Sequence, residues 1–254
     1  MDIVLLGSGN VATHLGKGLK GAGHHIVQVY SRNKANASAL ASLLKADTID
    51  NITVIRQDAD LYILAVTDEA IPPLAEELSP AITGIVVHCS GATPLAVLHH
   101  FSRYGVIYPP QSISKTVEAD LSKIPFGIEG NDTSTSQYLL ELMQKISSLS
   151  FLCSSQQRLA LHIAAVFANN FSNALFQISH DILKQHELPF DLLKPIIAET
   201  AQKIQNNQPK DVQTGPAKRG DQQTIRKHLD FISENSNWVK IYQQLTEEIT
   251  IQNR

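Results

Sequence analysis

The sequence predicts an α/β protein in which a parallel sheet wound with helices fills the first half of the chain and an all-helical region follows. Three observations carry this reading. Short apolar runs alternate with helical patterns from Ile3 to Cys153, no further runs of that kind occur beyond Cys153, and a glycine-rich turn joins the first run to the first helix.

Taken in order, the strands are Ile3–Leu6, Ile26–Tyr30, a short one at Thr53–Ile55, Leu61–Val66, Ile85–His88, Val106–Tyr108, Phe126–Glu129 and Ser150–Cys153. The early helices are Val11–Gly21 and Ala35–Leu44, with a later one at Thr133–Ser147. That order is βαβ grammar and implies a parallel sheet with right-handed crossovers. Helical patterns then run over Gln156–Gln185, Asp191–Asn206, Asp221–Ser233 and Trp238–Thr250. Between the second and third, Pro209, Gly215 and Pro216 mark a loop. A boundary near Ser154 gives domains 1–153 and 154–254.

At 254 residues with 43% hydrophobic and 18% charged residues, the chain can bury one large core or two modest ones, which excludes disordered and fibrous classes. A net charge of -3 leaves no basic surplus for a phosphate backbone, so a small-molecule partner is expected and a nucleic acid is not. Two cysteines, Cys89 and Cys153, make neither a disulfide framework nor a metal set, and a reducing, cytoplasmic setting is expected. Met1-Asp2 leads directly into Ile3–Leu6 without a leader, and no run reaches the ~18 apolar residues of a membrane span, so neither secretion nor a membrane is expected.

The turn reads Gly7-Ser8-Gly9-Asn10-Val11-Ala12, a G-x-G-x-x-A fingerprint lying between strand and helix, where such a motif acquires meaning. Gly7 permits the tight turn, Gly9 lets backbone approach a pyrophosphate, and Ala12 lets helix and strand pack closely. With Asn10 and Val11 at the helix N-terminus, whose free N–H groups attract phosphates, this is a dinucleotide-binding domain of the Rossmann type. An NAD site would carry an acid at the end of the second strand; this chain has Ser31-Arg32-Asn33 there. Those donors suit a 2′-phosphate, so the expected cofactor is NADP(H), unless Arg32 is merely a solvated loop residue.

Residues beyond the other strands are small and polar. Val66, Thr67 and Ser90 can line the cofactor groove, although ordinary turn chemistry explains each equally well. His88 reads as a satisfied core group or a substrate donor, and Cys89, with no activating base nearby in sequence, as structural.

The helix Gln156–Gln185 is apolar nearly all round and is expected to be the buried spine of the second domain. His162, Asn169, Asn173 and His180 fall on one stripe of it, facing either a substrate cleft or a hydrogen-bonded interface. In Thr214–Asp221, Asp221 can cap the next helix and Arg219 can clamp a carboxylate; a purely structural loop is the alternative. The Arg219-Gly220-Asp221 string is not read as an adhesion signal.

Gly7–Ala12, His88–Gly91, Pro109–Ser112, Ala164–Phe171 and Thr214–Asp221 together make the chain resemble a family of bacterial Rossmann proteins related to pyrroline-5-carboxylate reductase and the deazaflavin-dependent NADP oxidoreductases. The second domain of that family is of unknown function. The resemblance implies NADP binding, a helical C-terminal domain and a homodimer formed through it; it implies no substrate. The 3-hydroxyacid dehydrogenases and ketopantoate reductases place a lysine four residues before an asparagine on the interdomain helix. This chain has Ala165, Val166 and Asn169 at the corresponding places, which disfavours that chemistry.

The expected function is hydride transfer between NADP(H) and a small carbonyl or imine compound held between the domains, with His162, Asn169 and Arg219 orienting substrate or moving a proton. The alternative is a non-catalytic NADP(H)-binding sensor or scaffold that dimerises through its helices. Hydride exchange with a deazaflavin is a third possibility and requires an open apolar face beside the nicotinamide.

Overall fold

The structure is a computed structural model that describes residues 1–112 and 119–253. Its elements begin β1 (Asp2–Leu6), α1 (Asn10–Gly21), β2 (His25–Tyr30), α2 (Lys34–Leu44), β3 (Asp47–Ile49), β4 (Leu61–Leu64), α3 (Ile71–Glu77), β5 (Ile85–His88) and β6 (Tyr104–Tyr108). They continue with β7 (Gly127–Gly130), α4 (Thr133–Gln144), β8 (Phe151–Leu152) and α5 (Ser155–Ala165). The sheet order is β3-β2-β1-β4-β5-β6-β7-β8, which reverses direction between β1 and β4.

Both sheet faces are covered, and the strands divide their side chains between them with period two. Ile3, Leu5, Ile63, Val87 and Ile107 pack with Leu15, Leu19, Leu40 and Leu142 on one side. Val4, Leu6, Tyr62, Leu64 and Val86 pack with Ile71, Leu74 and Leu98 on the other.

Two sequence expectations change here. The short strand after α2 is Asp47–Ile49, which pairs with β2. Thr53 belongs instead to a 3₁₀ turn, Ile52–Val54, because the Asn51 side chain accepts the Thr53 N–H and closes it. In addition, β7 runs antiparallel to β6, so the sheet is parallel-dominated rather than fully parallel.

The chain divides into two compact units, Met1–Asn170 and Phe171–Arg254. The helix that begins with α5 passes through a π-helical stretch, Val166–Phe171, and continues as α6 (Ser172–Gln185). A π turn adds a residue to the helical register, so the polar stripe expected across it is interrupted after Asn169. The second unit then contains α7 (Lys194–Asn206), α8 (Pro216–Arg219), α9 (Gln222–Phe231) and α10 (Ser236–Gln252).

The expected buried spine is not found within the single chain. Arg158 is the buried residue of α5, and α6 has none. Leu159, Ile163, Phe167 and Phe171 follow one another at four-residue steps and are all exposed, Phe167 by 65%. The full helix, Ser155–Gln185, is also long and apolar enough by length and composition to cross a membrane, with a mean hydropathy of 1.3 over 18 residues. His162, Asn169, Asn170 and Asn173 interrupt the apolar residues in its interior.

Candidate functional site

A cavity of about 1170 Å³ lies at the carboxyl ends of the strands, and all its lining residues belong to the first unit. In open α/β sheets ligands bind at such a place, where strand order reverses. Gly7 to Val11 follow β1, Tyr30 ends β2 with Ser31 and Arg32 beyond it, Ala65 to Glu69 follow β4, and Cys89 to Gly91 follow β5. Tyr108 ends β6 with Pro109 to Ser112 beyond it, and His162, Asn169 and Asn170 join the lining from α5 and the π turn.

The glycine turn has the geometry of a phosphate cradle. Gly7 has φ +125°, and a Cβ there would sit 2.2 Å from the Ala65 carbonyl oxygen, so only glycine fits. Gly9 is different, because a Cβ there would meet no atom of the described residues within 4 Å. The space it leaves is available to a ligand. Gly9 is also the N-cap of α1, which has no side-chain cap and no acidic residue in its first turn, so its N–H groups remain available to an anion. Arg32 forms no ion pair among the described residues and lines the same cavity. These residues fit a dinucleotide.

Of the residues proposed from sequence, Gly7, Gly9, Asn10, Val11, Ser31, Arg32, Val66, Thr67, Ser90, His162 and Asn169 meet on this cavity. Asn33 is not among its lining; its side chain accepts the Asn36 N–H and caps α2. Arg219 ends α8 in the second unit, where Asp221 caps α9 by accepting the Thr224 N–H. Ser31 accepts a hydrogen bond from the buried Ser8 hydroxyl at 3.0 Å, which ties the end of β2 to the glycine turn. The Ser90 hydroxyl oxygen accepts the Ala92 and Thr93 N–H groups and so also shapes its own loop.

Burial makes the neighbouring groups chemically quiet. It pushes the Cys89 thiol up to about 12, which removes thiolate chemistry near neutral pH. The His88 ring is fully buried, and desolvation with the nearby Arg158 charge holds its pKa down to about 3. His88 therefore stays neutral, with Nδ1 accepting the Ser90 N–H.

Three residues of the site were not singled out from sequence. Arg158, 1% exposed, donates from one guanidinium nitrogen to the carbonyls of Ser90, Gly91 and Thr93. From the other it reaches the Glu129 carboxylate at 3.1 Å. The β5 loop and the end of β7 are thereby fastened to α5. A lone arginine in an otherwise apolar turn, just after the Ser154 and Gln157 capping box, is the signal that could have revealed it. The third residue is Tyr108, whose hydroxyl lies 3.1 Å from His162 Nδ1.

Residues 2–90 match the family model for NADP oxidoreductase, coenzyme F420-dependent, and residues 124–249 match a domain of unknown function, DUF2520. No curated protein matches the chain. A candidate NADP oxidoreductase from Bacteroides fragilis is 37% identical over 98% of this chain and 97% of its own, with a TM-score of 0.89. A Thermotoga maritima protein is 24% identical over 99% and 98%, with a TM-score of 0.76. The pyrroline-5-carboxylate reductase of Streptococcus pyogenes, 13% identical over 98% of each chain with a TM-score of 0.63, shares the fold.

Proposed function

We propose, from the premise that this chain belongs to the family joining a domain of the coenzyme F420-dependent NADP oxidoreductase type to DUF2520, that it is an NADP(H)-dependent oxidoreductase acting on a small carbonyl or imine compound. The observation that carries the reading is the continuity of one cavity from the Gly9 cradle and Arg32 to the Tyr108 and His162 pair. Bound along it, a reduced nicotinamide supplies hydride. The protein's residues do the rest. The α1 N-terminus holds the pyrophosphate, Arg32 and Ser31 meet the 2′-phosphate, and Val66, Thr67 and Ser90 line the path. His162 and Asn169 orient the reacting group. The role proposed for Arg219 rests on its sequence neighbourhood.

The preference for NADP(H) follows from the end of β2, which offers a guanidinium and no carboxylate. In fluorescence titrations NADPH should bind about tenfold or more tighter than NADH, a charged hydrogen bond being worth about 1.5–3 kcal/mol. Arg32→Ala should erase that gap. Equal affinity of the wild type for both nucleotides would remove the NADP assignment, and failure to bind either would remove the oxidoreductase reading.

The same proposal includes a homodimer formed through the helices. Its support is the uncovered apolar surface of the second unit, including Leu192, 61% exposed, and Phe231, 64% exposed. Monomers rarely leave that much apolar surface in solvent.

A further inference from the structure

We infer that Tyr108 is the group that exchanges a proton with the substrate, and that His162 behind it is the positioning residue that sets which way that proton points. This rests on the oxidoreductase reading above.

The geometry supplies the argument. Tyr108 ends β6 at the carboxyl edge of the sheet and lines the cavity, and its side chain is otherwise packed away from solvent. Its hydroxyl is 3.1 Å from His162 Nδ1, and the two rings meet edge to face with centroids 5.9 Å apart. The imidazole has little room to leave. A Cβ on Gly91 would lie 2.7 Å from His162 Cγ and Nδ1, so the ring packs directly on the Gly91 backbone. Arg158, one turn earlier on α5, fixes that backbone by donating to the Gly91 carbonyl at 3.0 Å. Two segments far apart in sequence are therefore joined to hold one hydroxyl at the cavity wall.

A phenol bonded to an imidazole has two arrangements. When Nδ1 carries no proton it accepts the Tyr108 O–H, and the cavity faces only oxygen lone pairs. When Nδ1 is protonated it donates to the Tyr108 oxygen, and the phenolic proton turns into the cavity. In reduction, a C=O or C=N carbon takes hydride from the nicotinamide while its heteroatom takes the Tyr108 proton. Tyr108 recovers a proton from His162 Nδ1, and His162 recovers one from water. Oxidation runs the same path backward, with the alcohol or amine proton passing to Tyr108 as His162 accepts.

Other groups bear on the pair. Burial raises the Tyr108 pKa, the Arg158 charge opposes that rise, and Asp68 beyond β4 adds to it. Arg158 is matched by Glu129, and neither Cys89 nor His88 carries charge near neutral pH. Tyr108 thus remains a phenol and acts by passing a proton on, not by resting as phenolate.

The test uses the full-length protein with three readouts. NADPH binding by fluorescence should be unchanged within about twofold in Tyr108→Phe and His162→Asn, since neither touches the phosphate cradle. Ring-nitrogen NMR of nucleotide-free protein should show the His162 Nδ1 resonance move in Tyr108→Phe, which removes its hydrogen-bond partner. With NADPH, using cyclohexanone as the C=O probe and 2-methyl-1-pyrroline as the C=N probe, Tyr108→Phe should lower kcat about 100-fold or more. KM should change far less, and His162→Asn should lower kcat and flatten the pH profile.

A Tyr108→Phe enzyme within about threefold of wild-type kcat, where general acid–base catalysis contributes at least about 100-fold, would overturn the inference. So would an unmoved Nδ1 signal, or a wild type that binds NADPH and reduces neither probe. A wild type that fails to bind NADPH overturns the oxidoreductase reading instead, while the NMR result still reports on the pair.

Discussion

In the first unit the strands divide their side chains between two cores closed within one chain; in the second, the helices α6 to α10 bury only Ala217 and Ile225 among the described apolar residues. The helices are locally sound. Pro195 lies in the first turn of α7, Asp221 caps α9 and Asn235 caps α10. The difference between the units is therefore not secondary-structure quality but whether the single chain covers the apolar faces. Hydrophobic periodicity says that a face will be covered, and it is silent on which molecule does the covering.

The largest expected effect sharpens the first half of that comparison. Arg158→Met leaves the Glu129 carboxylate and the Ser90, Gly91 and Thr93 carbonyls without their shared donor in a site where Arg158 is 1% exposed. Removing one partner of a buried ion pair costs about 3–5 kcal/mol. The Glu129 side chain keeps 14% exposure, which places the expected loss at the lower end of that range. Urea unfolding monitored in the first unit measures it, and a loss below about 1 kcal/mol would mean that Arg158 does not organise the β5 loop.

A matched pair of substitutions can break the comparison outright. Leu5→Ala, in the closed core, should cost about 2–5 kcal/mol at any protein concentration. Ile196→Ser, at a site 59% exposed in the single chain, should cost less than about 0.5 kcal/mol if the chain acts alone. If the helices pair, as proposed, it should weaken association and make Tm fall on dilution. Light scattering supplies the reference, with wild type expected at twice 27.9 kDa. A wild type at 27.9 kDa at every concentration, with Ile196→Ser neutral, would end the dimer proposal.

The same contrast explains what could be read from sequence. The Gly7–Ala12 cradle was legible because its meaning is local, requiring only a strand before and a helix after. The β2 end was legible because its distance from that motif is set by the βαβ unit. Tyr108 with His162, 54 positions apart, and Arg158 with Ser90, 68 apart, were not legible, since tertiary folding alone brings them together. His162 and Asn169 were found on helical spacing, and that spacing failed beyond Asn169 because sequence gives no sign of the π turn. Arg219 illustrates the remaining limit: the polar cluster Thr214–Asp221 suggested a carboxylate clamp, but which groups surround Arg219 is not written in that cluster.

A further expected effect isolates one sealed group of the first unit. His88 is fully buried with a folded pKa of about 3, against an ordinary histidine value of 6.5. Between those values the unfolded chain takes up a proton that the folded chain refuses, so stability rises with pH across the window. The contribution is whole above pH 6.5 and shrinks as pH falls toward 3. Between pH 7.5 and 5 the expected loss from this residue is about 2 kcal/mol. Urea midpoints at the two pH values, compared between wild type and His88→Gln, separate it from the other carboxylates and histidines. A wild-type decline equal to the variant's would show that water reaches the ring, and that the first unit is less completely closed than its cores suggest.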